Sequence, residues 1–342
     1  MQYTPAAVTL TELDHLPDPV LHCTARELYR HLPGPTLVHL PGRREPPLFV
    51  SVLLHGNEPV GLQAIQQVLA QYHDQGLPRA LSVFFGNVAA ARHGLRRLDG
   101  QPDYNRIWPG GEEDGSPEAA LVREVFERMR SRGVFASVDI HNNTGINPHY
   151  ACVNRLESPF LQLATLFGRT VVYFLRPRGV QSMAFAELCP AVTLECGRPG
   201  ERHGIEHAAE YVEACLHLSR VPNHPVAPHD IDLFHTVAQV KVREEVSFSF
   251  GEADADLVFE PDIDHFNFRE LPAGTVFGRV REGLGTGLIA FDEAGRPVTE
   301  RYFAVEAGLL TLVRPAMPSM LTLDERVVRQ DCLCYLMERL DP

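Results

Sequence analysis

The sequence has no stretch that approaches 18 uncharged apolar residues, so it predicts no transmembrane helix and no membrane partner. Lysine is almost missing: Lys241 is the only one among 31 basic residues, set against 44 acidic ones. The net charge of −13 argues against a nucleic-acid surface, which leans on basic side chains to meet phosphates. Arginine supplies nearly all the positive charge and suits bidentate contacts to carboxylate or phosphate, although coding bias alone accounts for the imbalance. Cysteine is sparse and scattered, seven in number, and Cys332 and Cys334 stand too close together for a CxxC site. That pattern points to reduced thiols rather than a disulfide framework. The opening residues, MQYTPAAVTLTELDHLPDP, show no basic segment followed by an apolar one. No secretory leader is expected, and the cytoplasm is the expected location. With 44% apolar and 22% charged residues the chain is neither a disordered tail nor a fibre. Its 342 residues allow one large domain, or a large and a small one.

Residues 48–54 form a continuous apolar run rich in Val and Leu, the pattern of a buried strand. His55-Gly56-Asn57-Glu58-Pro59 follows as a turn, and apolar spacing then predicts a helix to about residue 72. Residues 80–85 predict a second strand, ending at Gly86-Asn87. Residues 88–115 lack periodicity, and a loop of that length inside a compact domain is usually functional or disordered. Ser116-Pro117 predicts a helix start, with Ser as N-cap and Pro at the first helical position. Strands are predicted at 134–140, 149–153, 170–174 and 190–195, and helices at 157–168 and 203–219. The alternation implies an α/β fold whose mixed, largely parallel sheet is flanked by helices. From the Pro-rich segment around 221–228 onward, short β-prone runs (Val237–Val246, Thr275–Val280, Gly287–Phe291, Arg301–Val305) suggest a small all-β domain. Residues 323–340 predict a final helix. The expected division is therefore 1–222, 223–318 and a C-terminal helical segment 319–342.

Three short segments fall at or near the ends of predicted strands, where open α/β sheets place ligands. They are His55-x-x-Glu58, Asp139-Ile140-His141 and Thr193-Leu194-Glu195-Cys196-Gly197. Two imidazoles and one carboxylate make a zinc set that leaves a position open for water, with Glu195 free to act as a base. Read singly, each piece has an ordinary alternative: His55 as a hydrogen-bonded turn residue, Glu58 as a helix cap, His141 as a structural strand-end histidine. Asp139 fits either a group behind a ligand histidine or a turn cap.

Taken in order, HGNEPVG, the GN that ends the next strand, Arg-Arg-Leu-Asp, Asp-Tyr-Asn-Arg, DIHNNTG and TLECG resemble the succinylglutamate desuccinylase/aspartoacylase family of the zinc carboxypeptidase (M14-like) superfamily. The resemblance spans about residues 48–220. It continues weakly through Phe266-Asn267-Phe268 and Gly274-Thr275-Val276-Phe277. It implies a zinc carboxypeptidase-like fold, one zinc ion held by His55, Glu58 and His141, and Glu195 as general base and acid. It further implies that Asn105 and Arg106 grip a substrate carboxylate and that Arg96, or its neighbour Arg97, stabilises the oxyanion. The implied partner is a small carboxylate-bearing substrate. The His2Glu set suits zinc best, while other divalent ions fit the same ligands.

Departures from the family pattern bear on the substrate. Aspartoacylase-like members carry a substrate-binding Arg ten residues before the catalytic Glu, where this sequence has Phe185. They also carry a Tyr in the C-terminal domain, and the matching stretch Ala307–Leu310 has none. Both point away from N-acetylaspartate. Arg176 and Arg178 precede Glu195 and are candidates for a second acidic group, with Arg178 the choice; plain surface charge is the other reading. His149, His203 and His207 are expected to be surface or core residues, and Cys196 an inert buried thiol. The leading expectation is a zinc amidohydrolase acting on an N-acyl amino acid. The alternatives are a metallocarboxypeptidase on short peptides or cell-wall fragments, and a non-catalytic zinc-binding sensor. The β-rich part is expected to shape the cleft or to make a contact in a homo-oligomer.

Overall fold

The structure is a computed structural model that describes residues 8–72, 75–112, 114–251 and 254–341. The first half runs β1 (Thr11–Leu13), β2 (Thr36–Leu40), β3 (Leu48–Val52), α1 (Val60–Gln71), β4 (Leu81–Phe85), α2 (Val88–Ala91) and α3 (Pro117–Arg132). It continues through β5 (Ala136–His141), β6 (Tyr150–Val153), α4 (Ser158–Thr165), β7 (Thr170–Tyr173), α5 (Gln181–Phe185), β8 (Ala191–Glu195) and α6 (Arg202–His217). The second part adds β9 (Asp232–Val242), β10 (Phe248–Phe250), β11 (Leu257–Phe259), β12 (Val276–Val280) and β13 (Leu288–Phe291). It ends with α7 (Thr299–Tyr302), β14 (Phe303–Glu306), β15 (Leu309–Leu312), β16 (Met317–Ser319), α8 (Glu325–Gln330) and β17 (Cys334–Arg339).

The large sheet runs β1-β2-β4-β3-β5-β8-β6-β7-β9-β17-β16, with β13 also paired to β9. Its centre, β4-β3-β5-β8, is parallel, and the flanks mix both senses. The expected α/β architecture is the observed one. Strands β3, β4, β5 and β8 are buried along their whole length, which explains why they read as unbroken apolar runs rather than alternating ones. Helix α3 starts where the sequence places it: the Ser116 hydroxyl accepts from the Ala119 N–H at 3.1 Å, and Pro117 follows. Phe185 stacks on Phe49 at 4.3 Å and meets Phe126 and Trp108 edge-on, tying α5 to the sheet.

A second sheet, β10-β11-β12-β15-β14, is antiparallel except for its β10-β11 pair and packs a core of its own around Phe259, Phe277 and Phe303. Strands β9, β13, β16 and β17, although they follow residue 222, extend the large sheet instead. The 11-residue β9 pairs with β7 on one side and with β17 and β13 on the other.

The predicted C-terminal helix over 319–342 is corrected by the structure. Helix α8 covers only Glu325–Gln330, and Cys334–Arg339 forms β17 between β9 and β16. A strand buried on both faces shows a continuous apolar run, here Cys332–Met337, and periodicity does not separate such a run from a buried helix. No helix among the described residues is long and apolar enough to cross a membrane, and all seven cysteines are free.

Candidate metal centre

Three adjacent parallel strands deliver the chemistry. Strands β3, β5 and β8 lie side by side in register, with Val52 opposite Ile140 and His141 opposite Glu195. His141 and Glu195 end their strands, and His55 stands three residues past the end of β3. The turn after β3 runs close beneath α2: a Cβ on Gly56 would lie 2.2 Å from the Ala91 nitrogen, so only glycine fits. The turn brings Glu58 back beside His55.

His55, Glu58 and His141 each offer a ligand atom within 4.8 Å of the others, and all three are buried. The Glu58 carboxylate lies between the two imidazoles, 2.8 Å from His55 Nδ1 and 2.6 Å from His141 Nδ1. The far side of each ring meets a second carboxylate. His55 Nε2 contacts Asp103 at 3.0 Å, and His141 Nε2 contacts Asp139 at 2.7 Å. Ser51 Oγ donates to Asp139 at 2.6 Å and fixes that carboxylate in turn. A carboxylate behind each histidine holds the Nε2 proton and leaves Nδ1 free to ligate, the arrangement that orients metal-binding imidazoles.

The electrostatics suit a cation. Burial alone would raise the Glu58 carboxyl, yet the His55 and His141 rings overcome it and hold the group far below the usual carboxylate range. Burial would lower His141, but Asp139 and Glu58 hold it well above the usual imidazole value. A proton on His141 thus balances carboxylates that a divalent ion would balance instead. The donor set, two imidazole nitrogens and one carboxylate in a buried pocket, fits a zinc ion with a position to spare.

Glu195 faces the same cavity. Burial pushes its carboxyl up to about 8, against the pull of His141 and a 3.4 Å hydrogen bond from Asn143. Arg96 is buried and donates from Nε and from a terminal nitrogen to Asp103 at 3.1 and 3.0 Å; its other terminal nitrogen is 3.9 Å from Glu58. Arg97 turns away to the Gln101 carbonyl, so of the two expected arginines it is Arg96 that reaches the centre. The Asn105 side chain accepts from the Gln181 N–H at 2.9 Å and stands 3.2 Å from His141 Nε2. Arg106 lines the cavity, and one of its nitrogens donates to the Asn105 carbonyl at 2.7 Å.

Arg178 is not brought into the cavity. It is exposed on the loop before α5, and Arg176 lines the wall instead, its Nε donating to the Glu293 carbonyl. Phe185 lies in the core and faces no part of the cavity, and neither does the stretch Ala307–Leu310. His149, His203 and His207 form a separate half-exposed stack, and Cys196 is fully buried.

Several residues that the sequence did not single out also enter the site. Asp103 is the partner of His55 and Arg96, and only its place in the Asp-Tyr-Asn-Arg motif hinted at it. Asp331, from the end of α8, reaches Arg106 at 2.7 Å and Arg96 at 3.3 Å. Tyr335 of β17 lines the cavity beside it. The wall away from the metal centre is largely apolar, with Cys152, Val172, Phe174, Val180 and Met320.

A profile of the succinylglutamate desuccinylase/aspartoacylase catalytic domain matches residues 45–219. Among solved structures, the fold is similar to that of a succinylglutamate desuccinylase from Chromobacterium violaceum, at 17% identity and a TM-score of 0.55 over 88% of this chain and 87% of that one. It is similar to a succinylglutamate desuccinylase/aspartoacylase from Rhodobacter sphaeroides, at 15% identity and a TM-score of 0.55 over 89% of each chain. It is also similar to a mutant form of murine aminoacylase 3, at 15% identity and a TM-score of 0.52 over 87% of this chain and 96% of that one. No curated protein matches the sequence.

Proposed function

Because the chain belongs to the succinylglutamate desuccinylase/aspartoacylase family, we propose that it is a zinc-dependent amidohydrolase that cleaves the amide bond of an N-acyl amino acid. The observation that carries this reading is the convergence of His55 Nδ1, Glu58 and His141 Nδ1 on one point, with the buried Glu195 facing the same cavity. His55, Glu58 and His141 would hold the ion. A bound zinc supplies a Lewis acid that acidifies a water and polarises the scissile carbonyl.

The remaining work belongs to the protein's side chains. Glu195 takes the proton of the attacking water and delivers it to the departing amine nitrogen. Its raised affinity for protons suits both halves of that transfer, and a nearby cation favours its ionised form at the start. Arg96, fixed by Asp103, stabilises the oxyanion of the tetrahedral species. Arg106 grips the substrate carboxylate and so converts binding into orientation. Asn105 supports it through its backbone carbonyl, since its side-chain oxygen is committed to the Gln181 N–H. Arg176, rather than Arg178, stands where a second polar group of the substrate would end. The apolar wall of Val172, Phe174 and Met320 favours an uncharged acyl or side-chain group there.

Metal analysis of the purified protein, with hydrolysis of a panel of N-acyl amino acids and short peptides, tests this. The expected result is one zinc per chain, chelator-sensitive release of an amino acid, and a Glu195→Gln variant that keeps its metal but loses about 10²–10⁴ in kcat. Cleavage of peptides alone would replace the deacylase with a carboxypeptidase. Full activity in Glu195→Gln, or metal retained after His55 and His141 are both replaced by Ala, overturns the reading.

A further inference from the structure

We propose that Asp331 is the specificity-determining residue of this cavity, an internal carboxylate that occupies the seat of the substrate's carboxylate on Arg106 while its other oxygen meets Arg96. The proposal rests on the reading of Arg106 as the substrate's carboxylate grip. One Asp331 oxygen accepts from an Arg106 terminal nitrogen at 2.7 Å, and the other accepts from Arg96 at 3.3 Å. A carboxylate bridging two guanidiniums is the geometry an incoming substrate carboxylate would adopt. Asp331 is nearly buried, with 12% of its side chain exposed, so the contact is a built one rather than a passing surface pair.

Asp331 already occupies part of both guanidiniums. Arg106 spends its terminal nitrogens on Asp331 and on the Asn105 carbonyl. Arg96 spends Nε and one terminal nitrogen on Asp103 and Asp331. Arg176 gives its Nε to the Glu293 carbonyl. A substrate carboxylate that takes the nitrogens held by Asp331 must displace it, and its apparent affinity is reduced by the fraction of time the seat is taken. Selection then shifts toward the part of the substrate that meets the apolar wall. The residue comes from the far end of the sequence: Asp331 closes α8, its N–H bonded to the Val327 carbonyl at 2.9 Å, and β17 anchors the segment behind it.

Two measurements decide the matter. Calorimetric titration of the purified protein with succinate should show Asp331→Asn binding on the order of tenfold more tightly than the wild type. Equal or weaker binding overturns the proposal and makes Asp331 a structural partner of Arg106. In the wild type alone, an N-acyl amino acid and its carboxamide should differ in KM by less than about tenfold, because the grip is already neutralised. A larger preference for the free acid overturns the proposal even if the variant does not fold. If neither compound is hydrolysed, the deacylase reading fails by itself, while the succinate titration still decides whether Asp331 holds the anion seat.

Discussion

His149 shows how a single side chain adds to the pH response of this fold. Its ring stacks on His203 at 4.3 Å, and its Nδ1 lies 2.9 Å from His207 Nδ1, so the pair shares at most one proton between those atoms. Its Nε2 is buried with no hydrogen-bond partner among the described residues. Burial, then the neighbouring His207 and His203, push the His149 value down to about 4. An unfolded chain binds a proton at this residue near pH 6.5, and the folded one refuses it until about pH 4. Stability from this site is therefore full above about pH 6.5 and is lost as the pH falls toward 4. His149→Gln should flatten the fall in Tm between pH 7 and pH 5 relative to wild type; an unchanged slope assigns that fall to other groups. At the same scale, the candidate site was legible where a distinctive residue type ends a strand or sits in the turn just after one, as His141 and Glu195, then His55 and Glu58, do. It was illegible where the partner arrives from elsewhere: nothing around Asp331 marks it, and only the pairing of β17 with β9 carries it to Arg106. Arg176 and Arg178 look alike in sequence, and only the path of the loop decides which one faces inward.

The loop between β7 and α5 is clasped to the loop that carries Asn105 and Arg106. Trp108 N–H donates to the Gly179 carbonyl at 3.0 Å, and Gly179 sits at φ +75°. A Cβ at that position would lie 2.1 Å from the Arg106 carbonyl oxygen, so glycine is required twice over, by conformation and by space. Gly179→Ala should cost about 1–3 kcal/mol in urea unfolding and raise KM more than it lowers kcat, because it shifts Arg106, the proposed carboxylate grip, and leaves β3, β5 and β8 in place. Loss of kcat with unchanged KM would contradict that coupling. Element by element, the central strands and the helices α1, α3, α4 and α6 follow from apolar runs, spacing and caps. The short β1 and the segment after residue 319 do not. An edge strand of three residues carries too few positions to show a period, and a strand buried on both faces imitates a helix.

At the scale of the whole chain, β9 binds the two halves together. It continues the large sheet past β7 and then hands it to β17, while its later residues join the second core. A fragment ending at residue 222 would leave β7 as an open edge and strip the cluster of Tyr150, Cys152 and Val172 of Phe234, Met317 and Met337. Such a fragment should elute as aggregate in size-exclusion chromatography; a monodisperse, cooperatively melting fragment would show that the expected division at 222 marks an autonomous unit. The same arrangement has a consequence in time. Translation proceeds from the N-terminus, so His55, Glu58 and His141 leave the ribosome well before Asp331 and Tyr335. Until residues 331–335 are made, those three residues lack the wall that Asp331 and Tyr335 supply. Completion of β17 closes that wall, so the cavity around His55, Glu58 and His141 is enclosed only when the last strand is made.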